Sequence, residues 1–391
     1  MFIKRKYAIF GAGRRAEQFI VKNFCKLHVD TVMDNNRKGD FYGYKIKEPY
    51  YDKQLFVIVT VDEINSYNVI RNQLMKMGYI EFVDFIPYTI YGKKMALAYG
   101  NCHMEAVKGY LEMSSEFNSE YGFYPLQSLY NMESAPADSI ISYADLILHQ
   151  SIRLNNVYGK CFASENILKK AKLDAKIIAI PNLYGLPKCF FPQLSKKEER
   201  RLSNPLSIGH EVNIEKWVDE GKTTNEIMQY MLDGSGHIYK HSDINDMWQD
   251  FLYKIEIRER QWDIKIKDYI LENYRHKKIF SDTWHISTEF AKEIAKKTLK
   301  YLGFNSEIEG IIPCLDKYEV FIYEDVKQAL DIQWKEKVIR KYTREISCVE
   351  KEEMNLKNYI EMCVNEIVFE KHLNTNNAII NKMCFANVLR D

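Results

Sequence analysis

Cys102 stands where an apolar run, Met95-Ala96-Leu97-Ala98-Tyr99, gives way through Gly100-Asn101 to a helical pattern with Met104, Val107 and Leu111 on one face. That spacing predicts a strand, a tight turn and a helix, with the cysteine at the helix start. A thiol so placed is expected to be exposed at the carboxyl edge of a sheet, where the N–H groups of the helix start favour its thiolate. Thiolate is the nucleophilic form, so Cys102 stands apart from the other cysteines, which read as small buried hydrophobes. A nucleophile needs a base, and a base needs an acceptor that orients it. Asp282-Thr283-Trp284-His285 supplies both, because at this spacing the carboxylate reaches the imidazole across a single turn. The expected roles are nucleophile for Cys102, base for His285 and orienting carboxylate for Asp282. The backbone N–H groups of Cys102 and His103, with Asn101 or Gln150, are the candidates for holding an oxyanion. His103 and His149 are second choices as base, and each reads more simply as a hydrogen-bonded structural histidine.

A second pattern lies near the N-terminus. Gly11-Ala12-Gly13-Arg14-Arg15-Ala16 follows a strand-like run and opens a helical stretch. Glycines let a backbone approach a phosphate, and the helix start offers N–H groups to the anion. Asp34 comes 21 residues after Gly13, near where an acidic residue would hold a ribose. Gly11, Gly13, Arg14 and Asp34 are therefore the candidate contacts to a nucleotide or nucleotide-sugar. The plain alternative is a module of this shape that binds nothing.

These residues must be positioned by sheets. Strands are expected at 7–10, 29–33, 56–60 and 80–85, with a helix over 66–77 that Gly78 stops. Strand–helix alternation of this kind means a parallel sheet with helices on its faces. A second strand series, at 95–99, 145–148 and 176–180, predicts a second α/β sheet. From 214 to about 274 the pattern is helical, with Trp248, Phe251, Leu252, Ile255, Trp262, Ile266, Tyr269 and Ile270 recurring at spacings of three, four and seven. Past about residue 335 the chain is charged and reads as helical. The expected division is a nucleotide-binding-type module over 1–92, a catalytic α/β domain with large helical insertions over 93–335 and a helical extension over 336–391.

Composition narrows the function classes. At 391 residues the chain suits two or three domains of about 150 residues. Lys+Arg (55) and Asp+Glu (54) nearly cancel, so the basic excess of a nucleic-acid binder is missing. No apolar run approaches the ~18–20 residues of a membrane span. The first residues lead into a short apolar stretch that breaks at Gly11, which reads as a strand and not a secretory signal. The eight cysteines include no C-x-x-C pair, which argues against a zinc ribbon or disulfide framework and for a reducing cytoplasm. The 27 tyrosines read more simply as core material than as a sugar-facing surface.

The order of nucleophile after a first strand and Asp-x-x-His late in the chain resembles the SGNH hydrolase superfamily, with Cys in place of Ser. Tyr99-Gly100-Asn101-Cys102-His103 at a strand end is similar to the WcbI-type polysaccharide biosynthesis enzymes, whose usual signature is Gly-Asn-Cys-Gln. The resemblance extends to Ala144-Asp145-Leu146-Ile147-Leu148-His149-Gln150, Ile180-Pro181-Asn182-Leu183-Tyr184-Gly185, Arg258-Glu259-Arg260-Gln261-Trp262-Asp263-Ile264 and Lys278-Ile279-Phe280, over residues 95–335. Two departures are His103 for the usual Gln, and Ile286 where the family has Pro after the His. The first 90 residues resemble the small Rossmann-like modules fused to bacterial glycan-modifying enzymes. Together these imply a coenzyme-A-dependent acetyltransferase of capsular or surface polysaccharide synthesis, taking acetyl-coenzyme A as donor and a glycan or sugar-nucleotide as acceptor. Two alternatives are a glycan esterase or deacetylase using the same triad, and a non-catalytic coenzyme A or nucleotide-sugar binding protein.

Overall fold

The computed structural model describes residues 6–23, 25, 27–195, 210–233, 238–304, 307–312, 320–334, 338–344, 349–355, 357–365 and 367–368. The chain forms two compact units. The first is Met1–Ile180 with Thr298–Ile308, and the second is Pro181–Lys297 with Glu309–Asp391.

The first unit opens with β1 (Lys6–Phe10), α1 (Arg14–Asn23), β2 (Val29–Met33), β3 (Asp40–Phe41), β4 (Tyr44–Lys47), β5 (Leu55–Val59), α2 (Ile64–Met77) and β6 (Phe85–Pro87). These strands make one sheet in the order β3-β4-β2-β1-β5-β6, parallel except for the β3–β4 pair. The sheet therefore has six strands and not the four expected from sequence. The two short ones carry too little apolar pattern to be read. The fourth expected strand is displaced from 80–85 to 85–87, because Asp84 accepts the Ile80 N–H and closes a turn there, with Phe82 at φ 65°. Gly78 ends α2 in the left-handed conformation (φ 103°), as its sequence position predicts.

The unit continues with β7 (Lys94–Tyr99), α3 (Cys102–Met113), α4 (Ser115–Glu120), β8 (Tyr121–Phe123), α5 (Asp138–Tyr143), β9 (Leu146–His149), α6 (Ser164–Leu168) and β10 (Lys176–Ala179). This second sheet is all parallel, in the order β10-β9-β7-β8. Residue 92 thus marks a change of sheet and not the edge of a compact unit. Successive side chains of β1 point to opposite faces. Ile9 packs with Ala16, Phe19 and Val32 against α1, while Ala8 and Phe10 join a cluster with Leu97, Tyr99 and Ile147 of the second sheet. Gly122 of β8 lies against the turn at 88–90 that follows β6. A Cβ there would lie 1.9 Å from the carbonyl oxygen of Thr89, so only glycine fits.

The second unit holds β11 (Leu194–Ser195), β12 (His210–Glu211), α7 (Val212–Asp219), α8 (Thr224–Asp233), α9 (His241–Glu259) and α10 (Lys267–Asn273). α11 (Thr288–Leu302), α12 (Glu324–Ala329), β13 (Val338–Arg344) and β14 (Val349–Asn355) follow, and the last residues of α11 belong to the first unit. Trp248, Phe251 and Ile255, predicted to share a face, lie buried on α9. Phe190, Trp248, Phe251, Tyr274, Phe280 and Phe290 form a continuous set of ring contacts beneath the Asp282 loop. The stretch past 335 differs from its helical expectation. Among its described residues it begins with the antiparallel hairpin β13–β14 and is helical over 357–365 and 367–368. Val338-Ile339 and Tyr342-Thr343 are β-branched and aromatic, and strand pairing overrides the helix preference of the charged residues between them. Among the described residues no helix is long and apolar enough to cross a membrane.

Candidate active site

In open α/β sheets the functional crevice lies outside the carboxyl ends of the strands where the connections reverse direction. In the second sheet β7 leads rightward to β8, whereas β9 leads leftward to β10, so the reversal falls between β7 and β9. The chain leaves β7 through Gly100-Asn101-Cys102 and leaves β9 at His149-Gln150. Sequence-predicted residues from both strands therefore come together at one edge.

Their contacts are specific. Gln150 is fully buried, and its Oε1 accepts the Asn101 N–H at 2.8 Å. The Gln150 N–H reaches the Tyr99 carbonyl at 2.9 Å, and its own carbonyl accepts the Ser164 hydroxyl. Gly100 is required by this approach, since a Cβ there would stand 2.5 Å from Gln150 Oε1 and 2.8 Å from Met104 Cβ. Asn101 is the N-cap of α3, its side chain accepting the His103 N–H at 3.0 Å. This removes the His103 N–H from the set of oxyanion donors expected from sequence. The Cys102 N–H, at the first helical position, has no partner within the helix. The thiol differs from its expectation of exposure. Cys102 is 6% exposed, enclosed where its helix packs onto the sheet. Sequence reading also missed Tyr158, whose phenol is raised by burial and further by the neighbouring Cys102. It lies in a loop with no helical or strand pattern, so only its distance in sequence from Cys102 was visible.

The second unit holds the Asp282–His285 pair. Phe280 and Ile286 form an antiparallel bridge, and the Ser281 N–H donates to the His285 carbonyl at 3.1 Å, which closes the 281–285 loop. Asp282 is fully buried. Its Oδ1 accepts the N–H groups of Trp284 and His285, and its Oδ2 lies 2.9 Å from His285 Nδ1. A carboxylate only accepts, so Nδ1 carries a proton, and in the neutral imidazole Nε2 keeps its lone pair. The His285 side chain is 17% exposed. Ser287 caps α11, its hydroxyl accepting the Phe290 N–H. Ile286, in the place of the expected proline, supplies the bridge to Phe280.

The first sheet has its own reversal, between β1 and β5, and the Gly11-Ala12-Gly13 turn stands there. Gly11 is left-handed (φ 106°), with its Cβ position 3.3 Å from the Thr60 hydroxyl. Asp34 is engaged on both oxygens. Oδ2 accepts the Ala12 N–H at 2.7 Å, and Oδ1 accepts the N–H groups of Asn36 and Arg37 at 2.8 Å. Arg14 opens α1 immediately after Gly13. The adjacent Arg15 guanidinium pairs with Asp62, which also accepts the Tyr88 hydroxyl.

A family profile described as polysaccharide biosynthesis enzyme WcbI matches residues 95–307, more than half of the chain and the stretch that carries both Cys102 and the Asp282–His285 pair. The chain belongs to the WcbI family. The match starts at the same residue as the resemblance over 95–335 and ends at 307, short of its last 28 residues. Among solved structures, one is similar with a TM-score of 0.53 at 14% identity, covering 70% of this chain and 90% of that one. It is described as WcbI, a novel polysaccharide biosynthesis enzyme, in its native form without a disulfide bond between coenzyme A and a cysteine. At that identity the likeness is one of fold. No curated protein matches the chain significantly. The WcbI match begins at β7, so the first sheet lies outside it.

Proposed function

We propose that this WcbI-family protein transfers an acyl group, in the first instance acetyl, from a coenzyme A thioester to a sugar hydroxyl in capsular or surface polysaccharide synthesis. The observation that carries the reading is the Asp282–His285 pair, whose buried carboxylate fixes the imidazole in the tautomer of a general base. In this reading the second sheet and its helices are an SGNH-like domain, and Cys102 is the nucleophile served by His285. The Cys102 thiolate attacks the thioester carbonyl, the bond to the coenzyme A sulfur breaks, and that thiolate leaves and takes a proton. The sugar hydroxyl then attacks the acyl-cysteine, giving its proton to His285 Nε2 as the Cys102 thiolate departs. Thioester exchange between two thiols is nearly balanced in energy, and ester formation from a thioester runs downhill. An ester hydrolase gains less from a cysteine, because passing from an alcohol ester to a thioester is uphill. The Cys102 N–H serves the oxyanion, while Asn101 and Gln150 hold the turn that aims it. His103 and His149 are left with structural roles.

The first sheet is read as a Rossmann-like module, with Gly11, Gly13 and Arg14 facing a nucleotide or nucleotide-sugar and Asp34 holding their turn in shape. A cytoplasmic location fits both the thioester donor and the free thiols. Release of free coenzyme A from acetyl-coenzyme A, with and without candidate glycans, tests the reading. Glycan-dependent release supports it. Rapid hydrolysis of aryl esters with no turnover of acetyl-coenzyme A replaces it with an esterase.

A further inference from the structure

We infer that the first unit carries a second ligand site, apart from Cys102, that takes an acidic saccharide: a sugar ring bearing a carboxylate or a phosphate. A cavity of about 480 Å³ lies between α2 and the segment that follows β8. Its size falls within the ~300–1,000 Å³ of small-molecule sites. Asn65, Asn68, Arg71 and Asn72 line it from the helix, and Tyr124, Gln127 and Asn131 line it from the segment.

The floor is built around a buried carboxylate. The Glu81 side chain is 4% exposed and accepts from the Tyr67 hydroxyl at 3.0 Å, the Tyr124 hydroxyl at 2.8 Å and Arg71 Nε at 2.7 Å. A buried ion pair is weak evidence of stabilisation, since apolar residues of similar volume often hold a fold as well. What this one does is aim two cavity-lining groups, Tyr124 and Arg71. Arg71 commits only its Nε edge, and its Nη groups donate to no described residue. A guanidinium offers its donors in a planar fork that matches carboxylate or phosphate oxygens.

The rest of the lining suits hydroxyls. A side-chain amide both donates and accepts, as a sugar hydroxyl does. Gln127 Nε2 donates to Asn65 Oδ1 at 2.6 Å, which clips the segment to the start of α2. The Asn68 and Asn131 side chains bond to no described residue and remain for the ring. Glu133 is the one acidic side chain in the lining, and it is exposed, where solvent screens it.

Isothermal titration calorimetry of the full chain with glucuronic acid, glucose 1-phosphate and glucose tests the site. No acyl transfer is involved, so the outcome is independent of the reaction at Cys102. At least one of the acids should bind with a Kd of about 1 mM or tighter and glucose at least tenfold more weakly. Glucuronic acid alone would identify a carboxylate site and the phosphate alone a phosphate site, and either supports the proposal. Asn68→Asp and, independently, Asn131→Asp should abolish binding while leaving the melting temperature unchanged, and Cys102→Ser should bind as the wild type. The proposal is overturned if neither acid binds, if glucose binds as well as the acids, if both aspartate variants bind undiminished, or if Cys102→Ser loses binding.

Discussion

Gln150 Oε1 accepts the backbone N–H of Asn101 at 2.8 Å, so the end of β9 fixes the turn that presents Cys102 at the end of β7. The bond is fully buried on the Gln150 side, and the turn has no slack, because Gly100 leaves no room for a Cβ. Gln150→Leu keeps the volume and removes the acceptor, leaving a buried N–H unsatisfied at about 1–3 kcal/mol. Urea unfolding should show that loss, together with reduced coenzyme A release. Stability within error of the wild type would mean that the Asn101 cap holds the turn alone.

Asp282→Asn separates the two tasks of that carboxylate. The amide oxygen can still accept the Trp284 and His285 N–H groups, which keeps the loop closed. Its NH₂ then faces His285 Nδ1 and turns the imidazole to the wrong tautomer. Turnover is expected to fall by about 10²–10⁴-fold with little change in thermal stability. Full activity in this variant would remove His285 from the role of base.

The Asp34 carboxyl gives the first sheet a pH signature. Burial alone would raise its pKa, but the N–H groups of Ala12, Arg37 and Asn36 and the Arg37 charge hold it below the ordinary carboxylate value. A carboxyl depressed in the folded state stabilises above its unfolded value of about 3.9, and that contribution is lost as pH falls through the folded value. The difference in denaturation midpoint between wild type and Asp34→Ala should therefore be full near neutrality and shrink below about pH 4. A difference that stays constant across that window would show that Asp34 acts by packing alone.

Tyr158 lies within electrostatic reach of the enclosed Cys102 thiol. Tyr158→Ala should raise the rate at which iodoacetamide labels Cys102, with the exposed Cys25 and Cys161 as internal standards in mass-spectrometric mapping. Labelling of Cys102 at an unchanged relative rate would place Tyr158 off the path to the thiol.

What the sequence made legible were features with strong local causes. The β7–Gly100–α3 corner, the Asp282-x-x-His285 loop and the α9 stripe of Trp248, Phe251 and Ile255 each rest on periodicity or on short-range spacing. What it concealed depended on contacts distant in the chain. The short β3, β4 and β8 pair through neighbours that their own residues do not announce. The enclosure of Cys102 and the loss of the His103 N–H to Asn101 arise from packing and capping choices that a motif cannot encode. Tyr158 approaches Cys102 from 56 residues further along, in a loop without pattern.

The seam at Gly122 has an evolutionary reading. With the Thr89 carbonyl lying where any side chain would begin, the contact between β8 and the turn after β6 is backbone against backbone. The terminal sheet is thus not cargo on a tether but a graft grown into the trunk. Exchanging residues 1–92 between homologues would have to carry the contour around 89 and 122 along with it, and drift at position 122 is closed to every residue but glycine.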